Sequence, residues 1–193
     1  MADLTGVRLG FAVCGSFCNA ANAISTAEVC VKAGAELLPI VSEHFAEIKT
    51  RFGAPSSFLE PLAALGNGRL ITSIADAEPI GPKNMTDALV ICPCTGNLLG
   101  KLSAGLTDNT VTMAVKSHLR GGKPVILCIA TNDGLAASAR NLGDLLNRRH
   151  YYFVPFGQDD PVKKPTSLVA DFSLLPDTVA AAIRGVQLQP LLL

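Results

Sequence analysis

The chain is 193 residues long, balances 16 Lys+Arg against 16 Asp+Glu, and is 49% hydrophobic with only 17% charged residues. A formal net charge of zero with no basic stripe argues against a nucleic-acid partner, and no apolar run approaches the roughly 18 residues of a membrane span. So little charge leaves little to keep copies apart, which predicts a homo-oligomer.

Six cysteines without a secretory signal predict reduced thiols and a cytoplasmic chain. No repeat, low-complexity tract or linker divides the sequence, so residues 1–193 read as one domain.

In chain order, Arg8–Cys14 reads as a short buried strand, ended by Gly15-Ser16. Asn19–Ala33 offers a helical apolar face through Ile24, Ala27, Cys30 and Val31, with Gly34 at the C-cap. Glu36–Val41 is a second strand despite Pro39, followed by Ser42. A helix is predicted at 57–66 and a short strand at Leu70–Ile74. Ala88–Cys92 is the cleanest strand, with Pro93 at its end. Helical patterns follow at 97–106 and 108–119, then a buried strand at Pro124–Ile129 and a helix at 136–149. Tyr151–Val154 is the last predicted strand, and a final helix at 176–184 begins at Pro176 and stops at Gly185.

Strands that are apolar throughout, alternating with helices, predict an α/β fold: a doubly wound, Rossmann-like parallel sheet with helices on both faces. Ligands in such folds bind beyond the carboxyl ends of the strands. Four places qualify: Gly15-Ser16, Ser42, the turn Pro93-Cys94-Thr95-Gly96-Asn97, and Ala130-Thr131-Asn132. Gly15-Ser16 reads as a phosphate turn or an ordinary strand-to-helix turn. It lacks G-x-G-x-x-G spacing, so a mononucleotide suits it better than a dinucleotide. Asn97 is placed to donate to a ligand or to cap a helix, and Asp108 to cap the next.

Cys14, Cys92, Cys94 and Cys128 gather near the same sheet edge, but without a C-x-x-C pair they read as core thiols rather than a metal site. His44, His118 and His150 show no ligand spacing, and neither a Ser-His-Asp nor a Cys-His set can be assembled.

The run Pro93–Asn97, with Lys101, Gly105 and Asp108-Asn109 beyond it, resembles the flavin- and carboxylate-binding turn of the homo-oligomeric flavin-containing cysteine decarboxylases. Lys123-Pro124 and Ala130-Thr131-Asn132 are similar to that family's second clamp. Nearly the whole chain is similar to the B-subunit family of dipicolinate synthases. This rests on Gly15-Ser16, Thr50-Arg51-Phe52-Gly53, Glu78-Pro79-Ile80-Gly81-Pro82-Lys83, Thr95-Gly96-Asn97, Thr131-Asn132-Asp133, Phe156-Gly157-Gln158-Asp159-Asp160-Pro161 and Lys163-Lys164-Pro165.

The resemblance implies FMN held by Gly15, Ser16, Ser42, Cys94, Thr95, Gly96, Asn97 and Thr131. It also implies a small dicarboxylate substrate, for which Asn97, Lys101 and Asn132 are the candidate donors. The partner it implies is an A subunit carrying NADP or NAD, the joint reaction being oxidation of a dihydrodipicolinate-level precursor to dipicolinate in the mother cell of a sporulating bacterium. The homo-oligomer would be a trimer or a multiple of three. Two alternatives stay open: a decarboxylase of the same family, or a non-catalytic partner of the A subunit. The decarboxylases' catalytic histidine is replaced by Pro79–Pro82, and Phe17 stands where the B subunits commonly carry histidine, so no proton-transfer residue is assigned. The Phe156–Pro165 segment is expected to be a lid or docking loop.

Overall fold

The computed structural model describes residues 2–193. Its strands are β1 (Arg8–Val13), β2 (Glu36–Val41), β3 (Ala88–Cys94), β4 (Val125–Thr131), β5 (Tyr151–Phe153), β6 (Phe156–Asp160) and β7 (Lys164–Ala170). They form one seven-stranded sheet in the order β2-β1-β3-β4-β7-β6, with β5 also beside β4. The pairings among β1, β2, β3, β4 and β5 are parallel. Their central residues are buried on both sides, Phe11, Ile91 and Ile126 completely so. Each such side chain stabilises the fold by about 1.5–3 kcal/mol.

The helices are α1 (Ala20–Lys32), α2 (Glu43–Glu47), α3 (Ser56–Leu65), α4 (Ile74–Ala77), α5 (Gly96–Ser103), α6 (Thr110–Leu119), α7 (Ala139–Leu146) and α8 (Leu175–Ile183). One group joins α1 with α3 and α8; a second joins α6 with α4 and α5, and α5 with α7. These groups cover opposite faces, as right-handed crossovers from a central strand pair require. The doubly wound reading therefore holds for the parallel strands.

Several local expectations change. Tyr151–Val154 is not the last strand, because β6 and β7 return as an antiparallel hairpin. The hairpin fits because β5 pairs only with Val125–Leu127, leaving Ala130 and Thr131 free to pair with Val169 and Leu168. The Phe156–Pro165 segment, expected to be a lid or docking loop, is built as strand, tight turn and strand. Leu70–Ile74 contributes a single bridge, Ile40 to Ile71, before Ser73 caps α4. Pro93 does not end its strand: β3 runs on to Cys94 with a register shift against β4. Pro39 sits within β2 at no cost in ladder bonds. The Pro39 carbonyl and Val41 amide both bond Ile71 on the outer edge, so the nitrogen of Pro39 faces away from β1.

The Glu78–Lys83 run packs at a distance from the carboxyl-end turns. Ser117 Oγ accepts from the Gly81 amide (2.8 Å) and donates to the Glu78 carbonyl (2.5 Å). A Cβ on Gly81 would lie 1.9 Å from the Ser117 carbonyl oxygen, so only glycine lets this segment lie against α6.

Candidate functional site

Because β1, β3 and β4 are neighbours and parallel, their carboxyl ends deliver three turns to one place. Residues 15–19, 95–97 and 130–133 line a cavity of about 730 Å³, within the 300–1,000 Å³ typical of small-molecule sites. The β6–β7 hairpin forms a further wall through Asp159, Lys164 and Ser167–Val169, and Phe52 adds an aromatic ring.

The first turn keeps its polar side chains bonded only among themselves and to no helix end. Ser16 and Asn19 flank a short 3-10 turn and α1, yet neither side chain caps a helix. Asn19 Nδ2 donates to Ser16 Oγ at 3.1 Å, and both groups also reach Cys18 Sγ, at 3.7 Å from Asn19 Nδ2 and 3.5 Å from Ser16 Oγ, a weak partner that a ligand oxygen can replace. A Cβ on Gly15 would meet nothing, so the backbone here is open to close approach. Phe17 stacks on buried Phe45 at 5.5 Å and 7°, anchoring the turn from below.

The second and third turns are locked together. Thr95, not Asn97, caps α5 by accepting from the Leu98 amide, and Asn109, not Asp108, caps α6 in a reciprocal pair with Thr112. A Cβ on Gly96 would lie 2.6 Å from Asp133 Oδ1, 2.6 Å from Ser138 Oγ and 2.7 Å from Thr131 Oγ1. Any side chain there would prise α5 from the β4 turn. Thr131 donates to Asp133 at 2.5 Å; this bond first, with one from Ser138, holds the Asp133 carboxyl below its ordinary range and ionised. The hairpin braces the turn from the other side: Thr166 Oγ1 donates to the Asn132 carbonyl (2.7 Å) and Ser167 Oγ to the Thr131 carbonyl (3.2 Å). Asn97 and Asn132 are exposed.

Of the residues singled out from sequence, Gly15, Ser16, Thr95, Gly96, Asn97, Thr131 and Asn132 line this one cavity. Three do not. Ser42 is buried and caps α2 through the Phe45 amide. Cys94 is fully buried in β3. Lys101 pairs with Asp108 at 2.7 Å, outside the lining. Among the thiols only Cys18 lines the cavity, and burial pushes Cys14 beneath it up to about 11. None of the histidines lines it. Asn19 and Phe52 join the lining without having been picked out as site residues, and so do Asp159 and Lys164, individually, from the segment expected to be a lid or docking loop. For Lys164 no spacing rule could have done so, because its position depends on an antiparallel return to β4 from a distant segment.

The family model described as "Flavoprotein" matches residues 4–166. The B subunit of dipicolinate synthase from Bacillus subtilis (strain 168) is 42% identical over 192 residues, covering 100% of this chain and 96% of that protein. The chain belongs to the flavoprotein family. The crystal structure of the dipicolinate synthase B subunit from Bacillus halodurans C superposes with a TM-score of 0.91 at 39% identity, covering 100% of this chain and 98% of the other. The FMN-dependent cysteine decarboxylase SpaF superposes at 0.66 with 21% identity, over 93% of this chain and 98% of that one, and so shares the fold. As a flavoprotein-family member, the chain thus carries that family's sheet with all three of its own carboxyl-end turns converging. Among the described residues no helix is long and apolar enough to cross a membrane.

Proposed function

We propose that this chain is the flavin-binding B subunit of a two-subunit dipicolinate synthase, acting with an A subunit that binds NADP or NAD. The observation that carries the reading is the convergence of the three polar turns on one cavity, in a chain 42% identical over its whole length to a dipicolinate synthase B subunit. FMN suits the cavity chemically. Ser16, Asn19 and the open backbone at Gly15 offer donors and no carboxylate to a phosphate. Thr95, Asn97 and Thr131 offer polar groups to the ribityl chain and ring, and ionised Asp133 is fit to accept from a ring N–H. When bound, FMN supplies a two-electron acceptor able to aromatise a dihydrodipicolinate-level ring.

The chain's own part is to hold and orient. The Gly96–Asp133 contact sets the spacing of the two deeper turns, and the hairpin walls off water on one side. Proton transfer is left to groups other than histidine. That also favours oxidation over the decarboxylase reading, since the family's catalytic histidine has no counterpart along Pro79–Pro82 and no histidine lines the cavity. We read residues 1–193 as one flavoprotein-like domain that assembles as a trimer or a multiple of three and works in the cytoplasm of a sporulating cell.

The test is the visible spectrum of the purified protein during titration with FMN, followed by co-purification with an A subunit and assay of dipicolinate formation. A chain that never perturbs the flavin spectrum would be reduced to a non-catalytic partner.

A further inference from the structure

Three charged side chains line the cavity, and their arrangement is uneven. Asp133 lies against the start of α5, tied to Thr131. Asp159 and Lys164 lie on the hairpin and pair with each other at 2.5 Å. Lys164 is thus the single cation among the described residues that line the cavity. Lys101, the cation that sequence reasoning favoured, lies outside the lining, where it pairs with Asp108.

The Lys164 ammonium has spare capacity. It carries three donors, and its one side-chain partner is Asp159. Its side chain is 55% exposed, so the other donors face open space. Its position is nonetheless fixed by the hairpin: Asp160 pairs with Lys164 across the two strands, Gln158 Nε2 donates to the Pro165 carbonyl (2.9 Å), and Asp160 Oδ1 accepts from the amides of Val162 (3.1 Å) and Lys163 (2.9 Å). A carboxylate entering this cavity meets an unpaired negative charge at the Asp133 end, whereas at the hairpin the charge of Asp159 is balanced by Lys164, whose remaining donors are open to it.

We propose that Lys164 receives a carboxylate of the substrate and thereby sets which way round a small carboxylate enters the cavity. This rests on the reading of the cavity as the substrate site. A second carboxylate, where the ligand has one, is left to uncharged donors such as Asn97 and Asn132. The anion Lys164 takes could equally come from the phosphate of FMN, so the experiment separates the two sources.

Dipicolinate is titrated by calorimetry into the full-length wild-type protein, Lys164→Gln and Lys164→Arg, with FMN and riboflavin titrated in parallel by absorbance. The expected result is dipicolinate binding at least about tenfold weaker in Lys164→Gln, restored to within about threefold in Lys164→Arg. FMN affinity should be unchanged in all three proteins. Equal dipicolinate affinity in wild type and Lys164→Gln would overturn the proposal. So would a loss confined to FMN and spared for riboflavin, which would give Lys164 to the phosphate. If FMN failed to bind even wild type while dipicolinate binding still depended on Lys164, the flavin reading would fall and this one would stand. Matching thermal midpoints establish that the exposed substitution leaves the fold intact.

Discussion

The two ends of the sheet are both rich in polar side chains, and they use them in opposite ways. At the amino end, Asp87 accepts from Arg8 Nε (2.9 Å) and Nη2 (2.6 Å), and Lys123 lies 3.4 Å away. Fully buried His118 bonds Thr86 through Nδ1 (2.9 Å) and the Pro124 carbonyl through Nε2 (3.0 Å). Every one of these side chains has a protein partner. At the carboxyl end, Ser16, Asn19, Asn97 and Asn132 face a cavity of about 730 Å³ with capacity left over. Polar groups closed on one another fasten strands; polar groups left open can bind a ligand. His118, of the residue type most readily suspected of chemistry, belongs to the closed end.

That contrast yields its largest expected effect in the pH dependence of stability. Burial, ahead of the other causes, lowers His118 from 6.5 to about 4. Between those values the unfolded chain holds a proton that the folded chain refuses, so stability falls as pH drops from 6.5 towards 4. The loss should reach about 3 kcal/mol, read as falling midpoints in urea unfolding across that window. Below it, the pairing with Arg8 that holds Asp87 at about 2 is lost in turn, as pH falls from about 4 through 2. Unfolding midpoints that stay flat from pH 6.5 to 4 would contradict the closed network around His118.

The open end predicts effects on binding instead. Ser16→Asp sets a carboxylate against the proposed phosphate and should weaken FMN binding at least about 100-fold, or about 2.7 kcal/mol, with little change in thermal midpoint. Undiminished affinity in titration calorimetry would move the phosphate elsewhere. Asp87→Ala should behave inversely, lowering stability by about 2 kcal/mol in urea while leaving FMN affinity alone. A binding defect there would mean the two ends are coupled. Gly96→Ala forces a Cβ to 2.6 Å from Asp133 Oδ1; FMN affinity should fall about tenfold as α5 and the β4 turn part. The smallest effect belongs to Lys101→Ala, whose half-exposed pair with Asp108 should contribute under about 1 kcal/mol and nothing to FMN affinity.

Much of this architecture was legible from residue order. The apolar runs at Arg8–Val13, Ala88–Cys92 and Pro124–Ile129 mark a parallel sheet's buried centre, because only strands covered on both faces can be apolar throughout. The rule that ligands lie at strand carboxyl ends then singled out the three turns that do converge. Ser42 misled because a serine after a strand looks the same whether it caps a short helix or faces a ligand. Asn97 and Asp108 were alternative caps one or two residues from the true ones, Thr95 and Asn109. The Glu78–Lys83 run, a specific mark of the resemblance, proved to be packing: Gly81 lies on Ser117.

The sequence by itself determined the parallel core, the three carboxyl-end turns and the family resemblance. Each follows from local pattern, apolar period and turn chemistry, which adjacent residues carry. Only the tertiary structure decided that β7 returns antiparallel to the vacant half of β4's edge, that Gly96 must be bare to meet Asp133, and that Lys164 rather than Lys101 faces the cavity. Those outcomes depend on contacts between residues more than 30 positions apart, whose pairing is set by which strand edge remains free once the others have paired.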